Sequence, residues 1–168
     1  MPKIIENLPQ KLMAEARRQV RENGYAALTI RSVAKGCGVG VGTVYNYFDS
    51  KDALTAAFML EDWKNCVHRI DDCAAASEVP EPVLRSIYDE LQNFYHLHEA
   101  VFHDEAAAAS FAGSFSRYHA LLRSQLAAPV RRFCRDDFTA EFIAEAMLVW
   151  TVAGTPFPQL HSLVNQLL

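Results

Sequence analysis

From Leu8 to the closing leucines, apolar residues return at helical spacing, and nowhere do they alternate as on a half-buried strand. That single period leaves only helix-on-helix packing, so the expected fold class is all-α. A first helix is predicted over about Leu8–Asn23, with Leu12, Ala16 and Val20 stacked at i, i+4 and i+8 while Lys11, Arg17, Arg18 and Arg21 point elsewhere. Gly24 follows as its C-cap. Thr29 can N-cap a short second helix through Ile30, Val33 and Ala34, because its hydroxyl accepts from a free first-turn N–H. Gly36 and Gly38 then supply the positive φ of a sharp turn, and Val39 is the apolar peg that seats it. A third helix is expected over about Gly40–Phe48, too short to persist without packing, and Asp49 or Ser50 caps a fourth running through Leu54, Phe58 and Trp63 toward Cys66. Further on, Pro80 and Pro82 open a helix to about His98. The Ala-rich "EAAAASFAGSF" separates it from a helix near Ser116–Cys134, where Pro129 predicts a kink. The last two helices fall at about Phe138–Ala153 and Pro156–Leu168.

The chain's 168 residues suffice for one or two compact units with their own cores. Its apolar content of 51% contains no run near the roughly 18 residues that span a bilayer, and polar residues break up the first ten positions, so no membrane association and a cytoplasmic location are expected. The net charge of −4 conceals a division. Residues 1–51 carry eight Lys and Arg against four Asp and Glu, or +4, while the remainder carries −8. No acidic residue occurs between Glu22 and Asp49. One end is thereby suited to a polyanion and the rest is repelled by it.

Cys37, Cys66, Cys73 and Cys134 form no CxxC pair and read as reduced thiols. His96 and His98 stand at i and i+2, which point apart on a helix, so these two with His103 and His119 do not spell a metal site. There is no P-loop, nucleophile elbow, HExxH or dinucleotide fingerprint; neither an enzyme nor a cofactor is expected. The pairs Asp71-Asp72 and Asp136-Asp137 look like solvated helix ends.

Four glycines and three large aromatics share the thirteen positions "GCGVGVGTVYNYF", 36–48. Two short helices joined by a tight Gly-containing turn behind a longer support make a helix-turn-helix, whose second helix enters the DNA major groove. Val44 and Phe48, at i and i+4, would face inward and leave Thr43, Tyr45, Asn46 and Tyr47 for DNA. Hydroxyls of Thr and Tyr suit phosphate oxygens, the Thr43 methyl suits a thymine methyl, Asn46 can pair with adenine and Arg31 with guanine. Lys51, in the first turn of the fourth helix, suits a phosphate. A plain turn followed by a core helix fits the same glycines and aromatics.

"LTIRSVAKGCGVGVGTVYNYFDSKDAL", residues 28–54, resembles the DNA-binding segment of the TetR family of bacterial transcriptional regulators. The match lies in Thr29, in the "GV" of Gly38-Val39, in "GTVYNYF" from Gly42 to Phe48 and in "SKDAL" from Ser50 to Leu54. Gly40 stands where the family often has a capping Ser, and Val41 where it often has a polar or basic residue. The resemblance implies a three-helix DNA-binding domain over residues 1–50 and a helical effector-binding and dimerisation domain over 51–168. It implies Thr29, Arg31, Thr43, Tyr45, Asn46, Tyr47 and Lys51 as contacts to double-stranded operator DNA. It also implies a homodimer, paired through the last two helices on a near-palindrome, whose small apolar or aromatic effector changes the separation of the two reading heads. Phe94, Tyr95, Phe102, Phe111, Phe115, Tyr118 and Trp150 could line the effector cavity, though core packing accounts for them as well. The expected function is a ligand-responsive dimeric regulator, a repressor. The alternatives are a DNA-binding dimer governed by a protein partner or by no small molecule, and a helical enzyme or metal-binding protein whose amino-terminal motif is structural.

Overall fold

A computed structural model describes residues 6–168, the side chains of Phe115 and Ser116 excepted, and every regular element among them is helical. In chain order these are α1 (Leu8–Asn23), α2 (Ile30–Cys37), α3 (Val41–Tyr45), α4 (Lys51–Ala75), α5 (Pro80–Leu97), α6 (Glu99–Phe102), α7 (Glu105–Phe111), α8 (Phe115–Val130), α9 (Asp137–Val152) and α10 (Phe157–Val164). Short 3₁₀ turns at Ala112–Ser114 and Arg131–Phe133 precede and follow α8. The chain divides into two compact units. The first takes in the residues up to Asp62 together with His98–Ala112, and the second Trp63–Leu97 with Gly113–Leu168. Helix α4 therefore contributes its first turns to one and its remainder to the other.

In the first unit, Leu8, Leu12, Ala16 and Val20 of α1 meet Ile30, Val33 and Ala34 of α2, Val44 of α3, and Leu54 and Phe58 of α4 in one apolar cluster. Gly24 ends α1 at φ 81°, and its N–H reaches the Val20 carbonyl at 2.8 Å. Thr29 and Ser32 form a reciprocal capping box at the start of α2, each side chain accepting from the other's backbone N–H. At the far end, Gly38 stands at φ 67° while its N–H and that of Val39 return to Lys35 and Ala34, a Schellman closure with Val39 packed on the core. Gly36 departs from expectation. It lies inside α2 rather than in the turn, facing α1, where a Cβ would collide with the Glu15 side chain. What a Cβ would displace is that side chain, and positive φ is not required there.

Helix α3 is shorter than its sequence span suggests: it begins after an extended Gly40, ends at Tyr45, and is followed by a turn in which the Tyr47 and Phe48 N–H groups both reach the Val44 carbonyl. Ser50, not Asp49, caps α4, accepting the Ala53 N–H at 3.0 Å. The Ala-rich stretch read as a spacer folds as α7, because Asp104 accepts the N–H groups of Ala106 and Ala107 and starts it. Val101 and Ala107 bring α6 and α7 into the first unit's core.

The second unit buries Trp63, Cys66 and Ile70 of α4 with Val83, Leu84, Ile87 and Leu91 of α5, and with the inward faces of α8, α9 and α10. Trp63 Nε1 donates to Gln125 at 2.6 Å and Arg69 holds Glu90 through two bonds of 2.7 and 2.6 Å. Downstream of Pro129 the α-helix stops at Val130 and gives way to the 3₁₀ turn. Asp136 N-caps α9 by accepting the Thr139 N–H. That helix buries Ala140, Ile143, Ala144 and Met147, yet leaves Phe138, Phe142, Val149 and Trp150 in solvent. No described helix is long and apolar enough to cross a membrane.

Candidate nucleic-acid interface

Val44 is fully buried, and this one anchor dictates what α3 shows to solvent. Fixing Val44 inward turns the end of α3 outward, where Tyr45 is 51% exposed, and in the turn that follows Asn46 lies open and Tyr47 is 50% exposed. Thr43 is half-buried, while Gly42 opens onto empty space. Arg31 and Thr29 are exposed at the start of α2. The Thr29 hydroxyl already accepts the Ser32 N–H at 3.0 Å, so it serves the helix cap first.

Lys51 is held, not free-swinging. Its Nζ donates to the Tyr25 carbonyl at 3.3 Å and rests 4.2 Å from the centre of the Tyr25 ring. Tyr25, which holds Lys51 in this way, was not singled out by sequence reasoning. It is fully buried just after the α1 C-cap, donates its hydroxyl to Asp52, and lies with its ring centre 6.2 Å from that of Phe111. Burial, reinforced by the Asp52 carboxylate, pushes its phenol up to about 12. The neighbouring Ala26 N–H donates to Asp104 at 3.1 Å, so the α1–α2 connection is pinned by a residue some eighty positions away. The Ala107, Ala26 and Ala106 N–H groups hold the Asp104 carboxyl below its usual range. The only local hint was a lone tyrosine following the C-cap glycine.

The stretch 12–58 matches a family model described as bacterial regulatory proteins, tetR family. Over these residues the chain is similar to that family. Over 59 residues, 35% of the chain, it is 32% identical to the HTH-type transcriptional regulator UidR of Escherichia coli K12, covering 30% of that protein. Over 74 residues, 44% of the chain, it is 36% identical to an HTH-type transcriptional regulator of Mycobacterium tuberculosis H37Rv, covering 32% of it. The chain thus spans about a third of the length of the curated relatives it matches. Likeness of fold extends further. The structure titled Salmonella enterica GusR superposes with a TM-score of 0.75 at 18% identity, covering 99% of this chain and 98% of that one. The TetR family repressor AlkX from Dietzia does so with a TM-score of 0.63 at 15% identity, covering 93% and 91%. The matched stretch begins within α1 and ends within α4, taking in the whole helix-turn-helix.

The aromatics considered for an effector cavity divide between the two units. Phe94 packs on the second unit's core with its ring edge toward Trp63, and Phe111 packs on the first unit's core. Tyr95 lies half-buried against His96. Phe102, Tyr118 and Trp150 are 45%, 39% and 55% exposed, and the Phe115 side chain lies outside the described residues. Of the histidines, His98 is buried in the first unit beside Asp62, and His119 lies 3.5 Å from Glu145 in the second.

Proposed function

We propose that this chain is a dimeric transcriptional regulator, a repressor, that lays α3 in the major groove of an operator with two near-palindromic half-sites. The observation that carries this reading is the exposed Tyr45–Asn46–Tyr47 edge beside buried Val44, which with Arg31 lies in the stretch 23–48 free of acidic side chains, Lys51 following just beyond it. Tyr45, Tyr47, Thr29, Thr43 and Lys51 would position the backbone, and Asn46 and Arg31 would read base edges. The exposed Phe138, Phe142, Val149 and Trp150 on α9, with Leu163 on α10, support self-association of the second unit, since a monomer rarely exposes so much contiguous apolar surface. A small apolar or aromatic effector would favour one of two states of that dimer.

A second reading rests on Phe102, Tyr118 and Trp150, effector-cavity candidates that stand exposed to solvent. It is a DNA-binding dimer governed by a protein partner, or by no small molecule.

Selection of bound duplexes from a random pool, followed by titration against salt, tests both. The expected outcome is a palindrome whose affinity falls steeply with ionic strength. Tyr47→Ala weakens binding to every duplex, whereas Asn46→Ala loses about 1 to 3 kcal/mol of discrimination at one base pair. A monomer indifferent to all duplexes at low salt would overturn the first reading and the second together.

A further inference from the structure

The first unit breaks off after Asp62 and resumes at His98, and these two residues touch. His98 Nε2 lies 3.1 Å from Asp62 Oδ2. The same carboxylate receives a two-point clasp from Arg17 of α1, Nε to Oδ2 at 3.0 Å and Nη2 to Oδ1 at 2.9 Å. Arg17 Nη2 also donates to Glu61 at 3.1 Å. His98 is only 2% exposed and stacks on Phe58, ring centres 5.8 Å apart, while the Arg17 guanidinium rests 5.5 Å from the centre of that same ring. Desolvation would raise the Asp62 carboxyl, yet the His98 and Arg17 bonds and charge outweigh it and hold it below its usual range.

A carboxylate sunk among a histidine and an arginine is a poor way to gain stability, because apolar side chains of similar volume would hold the same three elements as firmly. What the charged pairing adds is direction. A forked guanidinium on a carboxylate accepts one orientation where a greasy contact tolerates several. We propose that Asp62, with Arg17 and His98, is a positioning residue for DNA recognition, fixing the angle of α1, and with it α2 and α3, at the two points where the chain leaves and re-enters the reading unit. The inference rests on the reading of a dimer spanning two half-sites. Such a dimer requires one separation of its recognition helices, and a loosened clasp blurs that requirement.

The test uses the full chain and duplexes carrying the selected half-sites at their selected spacing, or with one or two base pairs added or removed. Wild-type protein should lose at least about tenfold in affinity per inserted pair, a loss of about 1.4 kcal/mol. Asp62→Asn and His98→Phe should reduce that penalty to within about threefold, and His98→Gln, which keeps a donor toward Asp62, should restore most of it. Hydrogen exchange on the DNA-free chain should quicken in the second half of α1 and in residues 99–103 for Asp62→Asn but not for His98→Gln. If Asp62→Asn fails to fold, the apolar set Arg17→Met, Asp62→Leu and His98→Phe replaces it, expected to melt near wild type while losing spacing preference. Unchanged spacing preference together with unchanged exchange in a folded variant overturns the clasp. Faster exchange in the variant, with a wild-type protein indifferent to spacing, instead upholds the clasp and overturns the two-half-site reading.

Discussion

The first unit is specified by points and the second by stripes. In the first, single residues at single positions do particular jobs: Gly38 turns the chain at positive φ, Thr29 and Ser32 close a cap, Val44 decides which side of α3 meets solvent, and Asp62 joins three elements. In the second, long helices pack broad apolar faces, and α9 carries apolar residues on its inner and outer sides alike. Point-specified structure fixes atoms in space, as a surface that reads base edges must. Stripe-specified structure tolerates sliding and repacking, which suits self-association and adaptation.

The largest test of this contrast puts one aspartate in each unit. Val44→Asp buries a charge where nothing pairs with it, and is expected to cost more than about 4 kcal/mol, melting the first unit and abolishing DNA binding. Phe142→Asp, at a side chain 52% exposed, should leave the melting of an isolated chain within about 0.5 kcal/mol of wild type. It should instead shift the protein toward monomer in sedimentation. Equal thermal losses from both would erase the distinction.

How far the sequence reveals each unit follows from the same difference. The bounds of α1, the Gly24 stop, the Thr29 cap and the Pro-led start of α5 were all legible, because each is decided by chemistry within one helical turn. Gly36 was misread as part of the turn, since what lies against it is the Glu15 side chain of another helix. Asp104 and His98 gave no local sign that 98–112 would fold with the first unit, because the groups that recruit them, the Ala26 N–H and the Asp62 carboxylate, are distant in sequence. The aromatic positions of the middle segment carried still less information. A phenylalanine in a core and one facing solvent look alike until packing separates them, as Phe94 and Phe102 illustrate.

A pair of glycines sharpens the comparison at smaller cost. Gly38→Ala forces a Cβ into the left-handed region and should lose about 1 to 2 kcal/mol, lowering the melting midpoint of the first unit. Gly42 lies inside α3 with open space around it, so Gly42→Ala should raise stability by up to about 1 kcal/mol. The same methyl should hold the helix away from the phosphates and weaken duplex binding. Stability and binding thus move oppositely at Gly42 and together at Gly38.

Acid titration then isolates one point. The folded Asp62 carboxyl titrates below its ordinary value of 3.8, so its contribution is present above that value and lost as pH falls through the lower, folded one. The difference in melting midpoint between wild type and Asp62→Asn, expected at about 2 to 4 °C at pH 5, should therefore close on further acidification. The depressed Asp104, Asp136 and Glu90 act equally in both proteins and cancel in the difference. A gap that persists at the acid end would assign the loss to altered packing.

The smallest expected effect is at Lys51, and it distinguishes a residue that holds from one that merely attracts. Its ammonium is already engaged by the Tyr25 carbonyl and ring, so on the proposed reading it would meet a phosphate from a fixed position and surrender little side-chain freedom on binding. Lys51→Gln should weaken binding to all duplexes alike and lower the slope of log affinity against log salt by about 1, with no change in the preferred sequence. Melting should hardly move, because Tyr25 keeps its bond to Asp52 and its place against Phe111. If the salt slope holds while the melting midpoint drops, Lys51 belongs to the buried Tyr25 network as structure, and the phosphate contact falls to Tyr45, Tyr47 and Arg31.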